Sequence, residues 1–324
     1  MVFAMKIAVL VLDRVFDTGL SALLDTLTVA NEIAVSEKLA CARFDVSLVA
    51  VRRKVTTGQG MRVPVADVQS CKVPDVALLP ALSNKSTEAV CESLTRRDVA
   101  DAGAQLKCWS AQGAVLGAAC NATFLLAETQ LLDGHEATTT WWHAPRFRER
   151  YPKVALDPSR MLVQSGRFVT VGAALAHLDL ALWCVRQVSP TLAKLTARYL
   201  VIDPRSSQAA FAISDHLAHE DPMVHRFETW ARAHLAQGFS LADAARAAGG
   251  SERTLARRIN AVLGKSPISY FQDIRVERAV HLLQTSQGSL EQIATQVGYA
   301  DGVTLRTLIR RRIGRGVREL RSGQ

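Results

Sequence analysis

Two ten-residue stretches of this sequence share one frame. Ser240 to Gly249 reads SLADAARAAG and Ser289 to Gly298 reads SLEQIATQVG, so S-L-x-x-x-A-x-x-x-G recurs at an offset of 49 residues. Serine at such a start can cap a helix by accepting a hydrogen bond from a free N–H of its first turn. Leu241 with Ala245, and Leu290 with Ala294, stand four apart and so share a helical face. The small alanine lets a second helix approach closely, and the glycine accepts the positive φ of a sharp turn. Close approach and a sharp turn are what a helix-turn-helix requires. The repeat thus restricts its part of the chain to a small all-α domain with two such units.

The residues after each glycine have the pattern of a recognition helix. In GSERTLARRINAVLG, Leu255, Ile259 and Val262 face inward while Arg253, Arg257 and Asn260 face out. In YADGVTLRTLIRRRIG, Leu305, Ile309 and Ile313 face inward while Thr304, Arg306, Thr307 and Arg310 face out. Between the units, 269–286 reads as one connecting helix with Phe271, Ile274, Ala279, Leu282 and Leu283 apolar. The candidate DNA-contacting residues are Ser251, Arg253, Thr254, Arg257 and Arg258 in the first unit and Thr304, Arg306, Thr307 and Arg310 in the second.

Charge points to the same partner. Residues 1–190 hold 20 Lys+Arg against 18 Asp+Glu, whereas 222–324 hold 16 against 8. A compact basic module carrying a recognition motif is suited to a polyanion, and double-stranded DNA is the expected one. At 324 residues the chain is long for one core, and two domains are expected. No apolar run is long enough to span a membrane; the nearest, 171–185, contains His177 and Asp179 and reads as a buried helix. The opening MVFAMKIAVLVLDR lacks a basic start and a small-residue cleavage site, so it reads as a first strand and a cytoplasmic location is expected. The six cysteines form no CxxC and no spacing with histidine that suits a metal, so neither a metal site, a cofactor nor a disulfide framework is expected.

The first two thirds alternate. KIAVLVL (6–12), FDVSLVAV (44–51), DVALLPA (75–81) and AVLGAA (114–119) are short apolar runs, as buried parallel strands should be. Helical stretches near 20–34, 87–107 and 121–130 separate them. The expected fold is an α/β flavodoxin-like doubly wound parallel sheet over 1–189, a connecting helix and linker over 190–221, and an all-α double helix-turn-helix over 222–324. In such a sheet ligands collect beyond the carboxyl ends of the strands, and Cys120 falls at one of them.

Two resemblances follow from these residues. Residues 222–324 resemble the double helix-turn-helix domain of AraC/XylS-type regulators, including R-x-E-R-A-x-x-L-L at Arg275 to Leu283 and L-G-K-S-P-x-x-Y at Leu263 to Tyr270. The second unit departs from the family in having Leu305 where an aromatic is usual, and Arg315, Gly316 and Val317 where Ser-Pro is usual. The first half resembles the PfpI/ThiJ-like relatives of class I glutamine amidotransferases through C-x-x-x-F-L-L-A-E at 120–128, L-L-D-G-x-x-A-T-T-x-W at 131–141 and V-T-V-G at 169–172. Together they are similar to GlxA-like regulators. That resemblance implies a transcription regulator with a sensor domain for a small-molecule effector, paired as a homodimer.

A cysteine at a strand-to-helix turn gains acidity from the helix N-terminus and can supply a thiolate. A thiol hydrolase also needs a base, a group to orient it, and oxyanion donors. In catalytic relatives a histidine follows the Thr-Thr pair, an acid lies in the first helix and a glycine pair follows the third strand. Here those positions hold Thr140, Gly19 and the pair Ala81 and Leu82, which are silent in those roles. His143 is the nearest substitute base, although a histidine beside two tryptophans is more often packing or surface than catalysis. One of Trp141 and Trp142 fills core while the other can wall a pocket, where an indole face suits a cationic head group. Cys120, Asn121, Thr140, Trp141, His143, Gly19, Ala81 and Leu82 are therefore candidates for an effector pocket with no catalytic residue. The competing reading is a PfpI-type cysteine-dependent amidase fused to a DNA-binding tail. An architectural DNA binder without a ligand would leave the sheet domain with no role.

Overall fold

The computed structural model describes residues 4–41, 43–84, 86–203, 207–208, 221–313 and 316–322. They divide into two units, Met1–Ala209 and Ala210–Gln324.

The first unit is built on a seven-stranded sheet. Its main strands are β1 (Ala4–Leu10), β2 (Arg43–Ala50), β6 (Val76–Leu79), β7 (Val115–Ala119) and β11 (Phe168–Val171). The short strands are β3 (Val55–Thr56), β4 (Arg62–Val63), β5 (Ala66–Asp67), β8 (Glu136–Ala137), β9 (Ala155–Leu156) and β10 (Leu162–Ser165). The sheet order is β10-β11-β7-β6-β1-β2-β5, parallel except where β10 meets β11. Taken by rank along the chain, the five main strands lie 2-1-3-4-5, the flavodoxin order that the sequence predicts.

Strand residues alternate between two apolar layers. Ile7, Val9 and Leu78 join the face covered by α1 (Asp17–Ser36) and by the helix over His177–Val188. Ala8, Leu10, Ala77 and Leu79 join the opposite face. That face is covered by α2 (Thr87–Ser93), α3 (Arg97–Ala111) and α4 (Ala122–Glu128). The expected helix at 87–107 is thus two helices, interrupted at Leu94–Arg96, and α3 restarts with Asp98 in its first turn. After α5 (Ala144–Arg150), α6 runs from His177 to Val188 and α7 from Pro190 to Tyr199. The stretch 171–185, read from sequence as one buried helix, begins as strand: Val171 closes β11, and α6 starts only at His177.

The first unit extends past residue 189. Helix α7 buries Leu192, Ala193 and Thr196, and Leu192 and Ala193 join the layer of α1 and α6. Further on, Ser207 bridges to Arg160 and the Gln208 N–H donates to Ser159 O at 2.9 Å. The remainder of the expected linker, 209–220, lies outside the described residues.

The second unit holds α8 (Pro222–Ala233), α9 (Leu241–Ala248), α10 (Glu252–Leu263), α11 (Pro267–Thr285), α12 (Leu290–Gln296), α13 (Gly302–Ile313) and α14 (Val317–Ser322). Both repeat serines cap as expected: Ser240 Oγ accepts from Asp243 N–H, and Ser289 forms a reciprocal capping box with Gln292. Both repeat glycines take positive φ, +79° at Gly249 and +81° at Gly298. Leu241 and Leu290 are only half-buried, and the interior is carried instead by Ala244, Ala245 and Ala248 in one unit and Ile293 and Ala294 in the other. The connecting helix α11 inserts Val276, Ala279 and Leu283 into the second unit's core beside Leu305 and Ile309.

Candidate functional site

Cys120 occupies the turn between β7 and α4 with φ +56°, a left-handed conformation costly for a side chain with a Cβ. Neighbouring strands hold it there. Its N–H donates to Val171 O at 2.8 Å, and its carbonyl accepts from Thr139 Oγ1 at 2.8 Å. Its Sγ lies 2.6 Å from Thr140 Oγ1. The thiol is buried, and burial pushes its pKa up. The acidity expected from the helix N-terminus is therefore overridden: α4 has only 7 residues, and removing the thiolate from water outweighs the dipole.

His143 does not pair with this thiol. Its Nδ1 lies 2.8 Å from Thr87 Oγ1, and its ring stands edge-on to Phe124 with centroids 5.9 Å apart. The ring is 1% exposed, and burial lowers its pKa to about 4. Trp141 is buried and Trp142 half-buried, packed edge to face at 5.2 Å.

The backbone donors at the end of β6 are already engaged. Ala81 N–H donates to His177 Nε2 at 3.0 Å, and Leu82 N–H donates to Asn121 Oδ1 at 2.8 Å. His177 Nδ1–H in turn donates to Ala174 O at 2.7 Å, which fixes the tautomer that leaves Nε2 as acceptor. A Cβ added at Gly19 would sit 2.5 Å from His177 Nε2. One imidazole thus fills the space beside Gly19 and takes up the Ala81 amide. His177 was not among the sequence candidates. Its only signal was a histidine in an otherwise apolar stretch.

Gln208 is a second residue that the sequence did not mark. It is fully buried, and its Nε2 donates to Thr139 O at 2.8 Å. It fills the space left by Gly172, where a Cβ would lie 2.2 Å from Nε2. The layer of Thr138, Thr139 and Thr140 under Cys120 is therefore tied to the last described residue of this unit.

The buried histidines give the unit a pH dependence. Burial also lowers His177 to about 4, opposed by its hydrogen bond to Ala174 O. Both folded values lie below that of an unfolded histidine, about 6.5. The unfolded chain therefore binds more protons between these limits. The stabilisation is complete above the unfolded value and is lost as pH falls toward 4. Lowering pH from 7 to 5 is expected to remove about 2 kcal/mol per histidine. Urea unfolding followed by tryptophan fluorescence checks this, since Trp109, Trp141, Trp142 and Trp183 all lie in this unit. A flat profile would contradict the burial of both rings as neutral groups.

In the second unit the structure sorts the nine DNA candidates. Ser251 Oγ accepts from Thr254 N–H at 3.2 Å and lies 2.9 Å from Thr254 Oγ1, so both serve the α10 N-cap. Arg258 is drawn to Asp221 at 2.5 Å. Thr304 Oγ1 donates to Asp301 and Thr307 Oγ1 to Val303 O. Arg253, Arg257, Arg306 and Arg310 are exposed and make no hydrogen bond or ion pair with any described residue. They form an i, i+4 pair on each of α10 and α13, and Arg257 and Arg306 each lie eight residues beyond their repeat glycine.

Residues 244–323 match a family described as "Helix-turn-helix domain". The chain is 25% identical over 72% of its length to the HTH-type transcriptional regulator GbdR of Pseudomonas aeruginosa, of which the match spans 63%. It is 26% identical over 76% of its length to the HTH-type transcriptional regulator GlxA of Rhizobium meliloti, covering 75% of that protein. The crystal structure of an AraC family transcriptional regulator from Pseudomonas putida superposes with a TM-score of 0.50 at 15% identity, over 60% of this chain and 98% of that one, a likeness of fold. An α/β domain of flavodoxin order followed by a helix-turn-helix domain is the class that fold and sequence define. Within that class the chain is similar to GlxA, an HTH-type transcriptional regulator.

Proposed function

We propose that this chain is a sequence-specific, DNA-binding transcription regulator of the cytoplasm whose α/β unit senses a small molecule without turning it over. The observation that carries the reading is the pair of matched recognition helices, each with two unengaged guanidinium groups on one exposed face. Arginine forks of this kind read guanine edges in the major groove. Two helices joined by one connecting helix suit successive grooves about 34 Å apart. The names of the relatives, all HTH-type regulators, support the same reading.

The silent chemistry of the α/β unit rests on three features argued together. The thiol is buried with its pKa raised, His143 is bonded to Thr87, and the Ala81 and Leu82 amides are engaged by His177 and Asn121. A hydrolase would have to break each of these arrangements before its first step. The competing amidase reading draws support from the strained turn at Cys120 alone. Incubation of purified protein with small amides separates the two, since only an enzyme releases ammonia.

Purified protein titrated onto its own operator tests the DNA role. Arg257→Ala and Arg306→Ala are each expected to weaken specific binding by ~1 to 3 kcal/mol while leaving non-specific binding nearly unchanged. Loss from the first variant alone would restrict sequence reading to the first unit. We further propose a homodimer, the commonest closed assembly. Sedimentation at twice the monomer mass is expected, and a monomer at all concentrations would contradict it.

A further inference from the structure

The α/β unit has a concavity beyond the carboxyl ends of β1 and β2. It is a basin of about 580 Å³ between the loop that follows β2 and the start of α3. Arg52, Arg53 and Lys54 line it from the first segment, and Arg96 and Arg97 from the second. Five cations against the carboxylates of Asp13 and Asp98 leave a formal lining charge of +3.

Both carboxylates are already engaged. Asp13 Oδ1 accepts from Thr56 N–H at 2.9 Å and Thr56 Oγ1 at 2.8 Å, and Asp98 is gripped by the Arg96 fork at 3.0 and 2.5 Å. Two arginines are also fixed in place. Arg52 pairs with Asp101 at 2.6 Å and donates to Val51 O at 2.9 Å, while Arg96 reaches Asp13 O at 3.0 Å. The other three, Arg53, Lys54 and Arg97, are exposed and make no ion pair with a described residue. Five cations in one concavity repel one another, and a cleft lined by one sign of charge concentrates counter-ions.

Position adds to charge. Asp13 follows β1 and Arg52 follows β2, and β1 is where strand order reverses, with β2 on one side and β6 on the other. Ligands of such sheets collect beyond the carboxyl ends of the strands, and the basin opens beyond those of β1 and β2. The 15-residue helix α3 also starts here, with no side chain capping its first turn from Arg96. Its free N–H groups favour an anion. The basin is shallow and open to solvent.

We propose that this basin binds a small polyanion, a metabolite bearing phosphate groups or several carboxylates, held by Arg53, Lys54 and Arg97 beside the fixed forks of Arg52 and Arg96. Such a ligand would be the effector of the sensing unit. Only that consequence rests on the sensor reading; the binding itself does not.

Calorimetric titration of the full chain with pyrophosphate and with citrate tests the site, and comparing the two separates phosphate from carboxylate recognition. The Arg53→Ala, Lys54→Ala, Arg97→Ala triple variant is expected to lose at least about tenfold in affinity for the preferred anion. Removing the same charge from the same unit at the exposed Arg62, Lys72 and Arg167 is expected to change little. Equal affinity in the triple variant overturns the proposal, as does an equal loss in the control. A triple variant that loses affinity for random-sequence DNA but not for either anion also overturns it and makes the basin a DNA contact. Anion binding that depends on the three residues but leaves operator affinity unchanged supports the site and rejects the effector role.

Discussion

Gly298→Ala is expected to abolish recognition by the second helix-turn-helix, whereas Gly249→Ala, its counterpart in the repeat, is expected to cost only about 1 kcal/mol. Both glycines have nearly the same positive φ, so the backbone strain of a Cβ is common to the two. Their surroundings differ. At Gly249 the new atom would meet the flexible end of Arg226 at 3.3 Å. At Gly298 it would come within 2.2 Å of the backbone oxygen of Leu235, which cannot swing aside. It would also strike the guanidinium of Arg275, which donates from Nε to Leu235 O at 3.0 Å and stacks over Phe271 at 4.6 Å. Arg275 thus ties the connecting helix to the loop after α8 at the point where the second helix-turn-helix turns. Overpacking combined with left-handed strain puts the Gly298→Ala penalty at about 3 kcal/mol or more. Footprinting should show protection of the half-site read by α10 and none by α13. Equal, mild effects of the two substitutions would contradict this junction.

Cys120→Ala is expected to retain effector-dependent regulation, whereas Cys120→Trp is expected to abolish it and leave DNA binding intact. The alanine variant loses the contact between Sγ and Thr140 Oγ1 and keeps the turn, at a cost of about 1 kcal/mol. An indole at a site closed by Thr140, Val171 and Thr139 has no space and must displace the threonine layer beneath it. The helix-turn-helix unit has its own core around Val276, Leu305 and Ile309, so its DNA affinity should survive. A reporter gene under the natural operator, with a binding assay alongside, measures both. If wild type has a measurable amide or ester turnover that Cys120→Ala lacks, the domain is an enzyme and the sensing role falls.

The elements that could be read from sequence are those in which a local signal and the tertiary structure agree. Short apolar runs became β6 and β7 because strands buried on both faces leave no polar positions, while β1 and β2 kept apolar ends despite the polar Lys6, Asp45 and Ser47. The second unit was legible because Ser240, Gly249, Ser289 and Gly298 act on their own helices. What could not be read depends on contacts distant in sequence. Nothing near Arg258 distinguishes it from Arg257, yet Asp221, 37 residues earlier, draws only the former away from an exposed role. His177 looked like a polar residue in a buried helix, and its function emerges only where Gly19 and Ala81 meet it. Gln208 is similar, since its amide is placed by Thr139 and Gly172. The boundary at Val171 was missed because a short apolar run has no periodicity to separate strand from helix.

Genome-wide mapping of DNA bound by the wild-type chain, beside a double variant with Arg257→Ala and Arg306→Ala, bears most directly on regulation through two reading heads. The expected result is a small set of discrete sites sharing a bipartite motif with half-sites about one helical turn apart, and their loss in the double variant. Diffuse binding without a motif, or sites that persist undiminished in the double variant, would contradict it.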